Sequence, residues 1–347
     1  MAPRVTVHAV AAFSKALLKF GCSEVQINGL DNFVKVLADR KRMEEGRGLL
    51  TYCNHISVLD EPTIWGALPW KMFRDERTTR WTLGASDVMF TNKFLSHFFN
   101  IGQVIETHRG GGIFQPAIDN AISKLEAGKW IHLFPEGYVN VSRTTELRRF
   151  KWGIGRMIME AKKMPVVVPM WISGFDRMMP EPRPPPKLLP RLGAKVSITF
   201  GEPIDVRISP LLEAFRRGQA LDLPGRLSAH SETIKSASSP LKIQGVQDAA
   251  LDMARVETCD PKAPLPIHGW PTLEPDSRAA KALRAETDQV ALARSQLSGV
   301  LRTEMADLGR RVRIANGEGD GEGELVHTAM LQKEVEEVVK DKIEKNR

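Results

Sequence analysis

Two periods of apolar residues run along the chain. Short runs at residues 48–53, 81–85, 103–106, 130–134, 166–172 and 195–201 have the length and side-chain types of strands. Between them the apolar positions recur every three or four residues, as in Phe114, Ile118, Ala121, Ile122 and Leu125, or Ile154, Met157, Ile158 and Ala161. Further helices are predicted at residues 30–40, from a cap and first turn at Asp60, Glu61 and Pro62 to about residue 68, and at 93–100, where Phe94, Leu95, Phe98 and Phe99 form a stripe read as core. Strand and helix alternate, so the expected class is α/β: a single domain with a mixed, largely parallel central sheet flanked by helices. The run 166–172 is apolar throughout, which suits a strand buried on both faces or a short segment entering a bilayer surface.

Both ends depart from this alternation. Residues 1–23 contain no acid, and Val10, Phe13, Leu17 and Phe20 share one helical face, with Gly21 and Gly29 closing the helix in a turn. Residues 1–28 thus read as an amphipathic membrane-associating or targeting segment, or as a helix packed on the domain. The domain proper is expected over 29–208. Residues 209–347 form a helical and partly flexible extension: irregular at 236–275, helical at 277–312 with a stripe of Leu283, Val290, Leu297, Leu301, Met305 and Leu308, Gly- and acid-rich at 316–324, helical again at 324–344.

The net charge of +7 and pI near 9.3 point to an anionic partner. Only two Tyr, and basic residues without interleaved aromatics, argue against nucleic acid. Cys22, Cys53 and Cys259 are too few and too scattered for a disulfide framework. No window approaches the roughly 18 uninterrupted apolar residues of a spanning helix, so a membrane would be met peripherally or monotopically.

Candidate chemistry gathers at strand ends. Asn54 and His55 interrupt the first strand, and Asp60, Glu61 and Pro62 have the character of a helix start. One short turn therefore separates His55 from Asp60, and a carboxylate on one imidazole nitrogen would leave the other as a general base. The same residues also fit a satisfied polar turn. A zinc site from His97, His108 and His132 is a third option without supporting spacing, and no metal is assigned. Arg109 with Gly110, Gly111 and Gly112 ahead of a helix could admit an anion to backbone N–H groups, or be a loop with a solvated Arg. Glu136 and Gly137 follow the strand 130–134. Glu136 could meet substrate hydroxyls or pair with Arg148 or Arg149, and Arg143, Arg148, Arg149, Lys151 and Arg156 crowd the next helix start.

The ordered set His55-x-x-x-x-Asp60, Arg109 with its glycines, Phe134-Pro135-Glu136-Gly137 and Val168-Pro169 resembles the glycerolipid acyltransferase family over about residues 29–204. The resemblance implies an acyltransferase-like fold and a catalytic pair of His55 and Asp60. It also implies a substrate site drawn from Asn54, Arg109, Gly110, Glu136, Gly137, Arg148, Arg149 and Lys151. Members using acyl-CoA commonly carry Ser or Thr and then Arg after the Phe-Pro-Glu-Gly block. Here Tyr138, Val139 and Asn140 follow, which puts CoA use in question and agrees with the mitochondrial branch that moves acyl chains directly between phospholipids. Tyr138 stands where that branch would carry a basic residue.

The expected partners are then phosphatidylcholine, cardiolipin and monolysocardiolipin, with no cofactor. The expected place is a mitochondrial membrane surface facing the intermembrane space, and a homo-oligomer is left open. A CoA-dependent acyltransferase and a non-catalytic anionic-lipid-binding protein are the alternatives. A hydrolase is disfavoured because no G-x-S-x-G occurs.

Overall fold

The computed structural model describes residues 2–141, 146–181, 189–216 and 274–318. The expectations for Arg143, Cys259, the irregular stretch up to residue 273 and the helix at 324–344 lie outside the described residues, as does most of the Gly-rich link at 316–324.

Seven strands form one sheet: β1 (Cys22–Asn28), β2 (Leu49–Cys53), β3 (Trp81–Ala85), β4 (Val104–Thr107), β5 (Trp130–Leu133), β6 (Val166–Ser173) and β7 (Ala194–Phe200). Their order is β1-β7-β6-β2-β5-β3-β4, and every neighbouring pair is parallel except β6 with β7. Strand β1 occupies the place where the sequence suggested only a turn between Gly21 and Gly29. Its half-exposed Ser, Glu and Gln residues suit an edge strand and mask the apolar signal.

The helices described are α1 (Ala2–Ala16), α2 (Leu30–Leu37), α3 (Arg40–Glu44), α4 (Asp60–Ile64), α5 (Ser86–Met89), α6 (Lys93–Ile101), α7 (Pro116–Glu126), α8 (Gly153–Glu160), α9 (Phe175–Met178), α10 (Asp205–Arg216), α11 (Arg278–Arg284) and α12 (Asp288–Ala315). Both faces of the sheet are covered. Leu49 and Cys53 of β2 join one apolar cluster with Val7 and Ala11 of α1 and Phe33 of α2. Leu50 and Tyr52 point the other way, into a cluster with Ile118 of α7, Ile154 of α8 and Leu301 of α12. Burial on both faces explains why β2 and β6 read as unbroken apolar runs.

The structure decides between readings left open at two places and overturns a third. Val166–Ser173 is buried along all but its last residue, between β2 and β7, so it is a core strand and not a membrane-entering segment. The stripe on α6 is not core: no residue of that helix is buried, and Phe94 is 78% and Phe98 38% exposed. Periodicity reported amphipathicity correctly but not what the apolar face meets. On α1 and the π-helical turn that continues it (Leu17–Gly21), the buried positions are Val7, Ala11, Ser14, Leu17 and Leu18, whereas Phe13 and Phe20 face outward. The packed-helix reading therefore holds for one side of α1 and the interfacial reading suits the other.

At the C-terminal end, α11 and α12 replace the single helix read over 277–312. The break falls where the Thr287 hydroxyl accepts the Val290 N–H and caps α12. Helix α12 lies against β6 and α8, with Leu297, Leu301 and Met305 fully buried.

Candidate active site

Strands β2, β5, β3 and β4 are adjacent and parallel, so their C-terminal loops meet at one edge of the sheet, where open α/β sheets place their ligands. The loop after β2 carries His55, that after β4 carries Arg109, and that after β5 carries residues 134–141. Together with α1, α5 and α6 they enclose a cavity of about 1200 Å³. That exceeds the roughly 300–1,000 Å³ of drug-sized pockets and leaves room for a bulky ligand.

Within the turn, His55 Nδ1 lies 2.9 Å from Asp60 Oδ2. The same oxygen accepts the N–H groups of Ile56 at 2.7 Å and Ser57 at 2.8 Å. An oxygen holding two backbone donors is oriented as an acceptor, so the imidazole proton sits on Nδ1 and Nε2 is the nitrogen available to a ligand. His55 lines the cavity, while Asp60 is fully buried behind it, and that burial raises the Asp60 pKa against the opposing effect of its His55 hydrogen bond.

Phe134 stacks on the His55 ring, with centroids 4.4 Å apart and planes 23° from parallel. Phe134 also meets His132 edge-on; that histidine is fully buried, and burial holds its pKa well below the ordinary value. Thr51 Oγ1 bonds His132 Nδ1 at 2.8 Å, so this histidine is part of the core beneath the site. Among the described residues no three His, Cys, Asp or Glu side chains converge as a metal-binding group.

Glu136 and Asn54 belong to the framework and not to the cavity wall. Glu136 Oε1 accepts the His55 N–H at 3.0 Å; Oε2 accepts Asn140 Nδ2 at 2.8 Å and the Arg148 N–H at 2.9 Å. The carboxylate is 1% exposed, and burial raises its pKa. It therefore fixes the backbone of His55 and Arg148 and does not meet substrate hydroxyls, a correction to the sequence reading. Asn54 bonds both the N–H (2.8 Å) and the carbonyl (2.9 Å) of Ile172, tying β2 to β6 as another peptide unit would.

Of the remaining candidates, Arg109, Gly110, Gly137, Arg148 and Lys151 line the cavity. Arg149 lies over the Trp152 ring and is not part of the lining. Arg156 has no exposed side-chain surface and bonds Asp119, Glu160 and the Ile113 carbonyl, so it holds α7 to α8. Gly137 has φ +75, a conformation that lets the chain reverse after Glu136 and that a side chain would strain. The Gly137 N–H already bonds the Phe134 carbonyl and the Gly111 N–H that of His108, so both donors are engaged within their own turns.

Sequence reasoning missed Gln115. Buried at 4% exposure, it accepts the His108 N–H at 3.0 Å and donates to the Gly112 carbonyl at 2.5 Å, closing the glycine loop on itself. Helix α7 starts only at Pro116, so the three glycines do not open directly onto a helix N-terminus. The Glu61–Arg80 pair was missed too. Its bidentate contacts of 2.7 and 2.8 Å, with Arg80 Nη1 on the Gly102 carbonyl at 3.0 Å, brace α4 against the end of α6. Gln115 closes its own loop through backbone partners three and seven residues away, which no spacing motif marks, and Glu61 and Arg80 lie 19 residues apart on separate segments.

A profile of the family described as Acyltransferase matches residues 24–173. An N-acylphosphatidylethanolamine synthase of Arabidopsis thaliana is 37% identical over 217 residues, covering 61% of this chain and 74% of that protein. The chain belongs to the glycerolipid acyltransferase family. Within it the likeness extends to tafazzins: that of Drosophila melanogaster is 38% identical over 200 residues, covering 58% of this chain and 50% of that protein. The tafazzin of Saccharomyces cerevisiae is 35% identical over 239 residues, covering 58% of this chain and 61% of that one. The chain thus spans between half and about three-fifths of the length of these two relatives.

Proposed function

We propose that the protein is a phospholipid acyltransferase that moves acyl chains directly between phospholipids without CoA, remodelling cardiolipin at a mitochondrial membrane surface. The observation that carries this reading is the His55–Asp60 pair opening on a cavity whose walls are mostly apolar, with Arg109, Arg148 and Lys151 among its lining residues. A charged headgroup and a hydrocarbon chain would each meet a matching surface.

In the reaction, His55 Nε2 takes the proton of a lysophospholipid hydroxyl as its oxygen attacks the ester carbonyl of a second lipid. Asp60 stabilises the imidazolium so formed. When the tetrahedral intermediate collapses, the C–O bond to the second lipid breaks and His55 returns the proton to the departing alkoxide. One ester forms and one is lost, so no acyl-CoA is consumed and no acyl-enzyme is needed. The relatives named tafazzin and the Tyr138-Val139 departure favour this route over a CoA-dependent one. Among the described residues no helix is long and apolar enough to cross a membrane, and exposed Phe13, Phe20, Phe94 and Phe98 suit attachment to its surface.

The test follows labelled acyl groups from phosphatidylcholine to monolysocardiolipin. Transfer without CoA, and no faster with acyl-CoA added, is expected; transfer that requires acyl-CoA would overturn the CoA-independent reading. The Arabidopsis relative favours a second acceptor, the amine of phosphatidylethanolamine, which His55 would deprotonate in the same way. Offered as sole acceptor, that lipid would yield an N-acylated product detectable by mass spectrometry if this second reading holds.

A further inference from the structure

Three consecutive strand ends bring Asp87, Arg109 and Tyr138 together beside the cavity, with Arg109 and Tyr138 in its lining. Asp87 lies on α5 directly after β3, Arg109 follows β4, and Tyr138 follows β5. The Arg109 guanidinium carbon lies 4.8 Å from the centroid of the Tyr138 ring, a distance at which a cation is held over an aromatic face. Arg109 Nη1 also contacts Asp87 Oδ2 at 3.2 Å, a long bond for two ions.

The cluster contributes little to holding the fold. The Arg109 and Asp87 side chains are 37% and 44% exposed, and Tyr138 is 47% exposed. An exposed ion pair of this kind stabilises a protein only marginally. What the stack does is restrict a long side chain. With one face against the ring and one nitrogen on Asp87, the guanidinium keeps its remaining N–H edge available at the cavity that Arg109 and Tyr138 both line. A planar donor edge already held in place is what a phosphate oxygen pair needs, and prior ordering lowers the cost of binding.

We propose that Tyr138 is a positioning residue that presents Arg109 to the phosphate of an incoming phospholipid, and that this phosphate displaces the Asp87 carboxylate. The phosphate exchanges a weak, half-exposed carboxylate contact for a bidentate one, while the ring contact persists. Asp87 therefore opposes binding and Tyr138 promotes it. This inference rests on the phospholipid reading of the cavity, but it concerns binding and does not depend on the identity of the base.

The experiment titrates short-chain dihexanoylphosphatidylcholine, and separately inorganic phosphate, into the full chain carrying His55→Ala, so that no turnover intervenes. Tyr138→Phe, Tyr138→Leu and Asp87→Asn are added singly to that background. Tyr138→Phe should bind as the parent does, because the ring is kept. Tyr138→Leu should weaken lipid binding about 2- to 5-fold, the range expected for an exposed cation–ring contact. Asp87→Asn should tighten it. With His55 restored, Tyr138→Leu should raise KM for the lipid and leave kcat nearly unchanged.

Unaltered binding by Tyr138→Leu, or equal loss in Tyr138→Phe and Tyr138→Leu, would overturn the positioning role. Unaltered or weaker binding by Asp87→Asn would overturn the displacement. Inorganic phosphate binding as tightly as the lipid would contradict the headgroup assignment. A wild-type chain that binds lipid with this ordering but transfers no acyl group would refute the acyltransferase reading and leave this one standing.

Discussion

Asp60 Oδ2 accepts hydrogen bonds from His55 Nδ1–H and from two backbone N–H groups, while its buried Oδ1 has no partner among the described residues. An Asn at this position can place its carbonyl on the same three donors, so Asp60→Asn removes the charge while keeping the ring orientation. Loss of imidazolium stabilisation should then slow acyl transfer by about 10²-fold or more, measured as initial rate. Stability should move differently. Because burial raises the Asp60 pKa, its contribution is fully present below the unfolded-state pKa and is lost as pH rises through the folded one. Thermal unfolding at neutral pH should therefore show no loss in Asp60→Asn, and the variant should lose the part of the wild-type gain that appears as pH falls through the carboxylate range. A lower melting temperature at neutral pH would contradict this. The pair itself was legible in the sequence because a five-residue step across one turn confines both side chains. The ring of Phe134 over His55 was not, since nothing local says which way two separate strand-end loops face each other.

At the scale of elements, α12 is the unexpected contributor. Its Leu301 carbonyl accepts the Tyr52 hydroxyl at 3.1 Å, three residues before His55, and Arg302 Nη2 donates to the Leu147 carbonyl at 2.5 Å, beside Arg148. A helix outside the span matched by the family profile thus holds both segments that present the site. Arg302→Ala should loosen the 146–148 segment and raise KM for the phospholipid several-fold with little change in kcat, and Arg302→Lys should restore part of it. A kcat loss with constant KM would contradict this role. The apolar stripe of α12 was visible in sequence through Leu297, Leu301, Met305 and Leu308, but periodicity does not name the surface it meets. The same gap made α6 look like core and left β6 open between a strand buried on both faces and a segment entering a bilayer surface.

For the whole molecule, the central sheet sets the cavity at one edge, and the exposed aromatic residues of α1 and α6 belong to helices that also help line it. Apolar side chains of that size left in water suit burial in a lipid interface. Cosedimentation with anionic vesicles at moderate salt is expected, and Phe94→Ser with Phe98→Ser should reduce it without lowering the melting temperature, because neither ring is buried. Protein remaining in the supernatant would remove the surface-attachment part of the account. The α/β class and the position of the His55–Asp60 turn followed from alternation of strand and helix. The edge strand β1 was hidden by its polar residues.

The proposed acyl transfer requires His55 to act as the base for a lipid hydroxyl. The direct measurement is the initial rate of CoA-free acyl transfer from phosphatidylcholine to monolysocardiolipin by His55→Ala, compared with wild type at equal melting temperature. A fall of about 10²- to 10⁴-fold is predicted; undiminished transfer by the folded variant would contradict the mechanism.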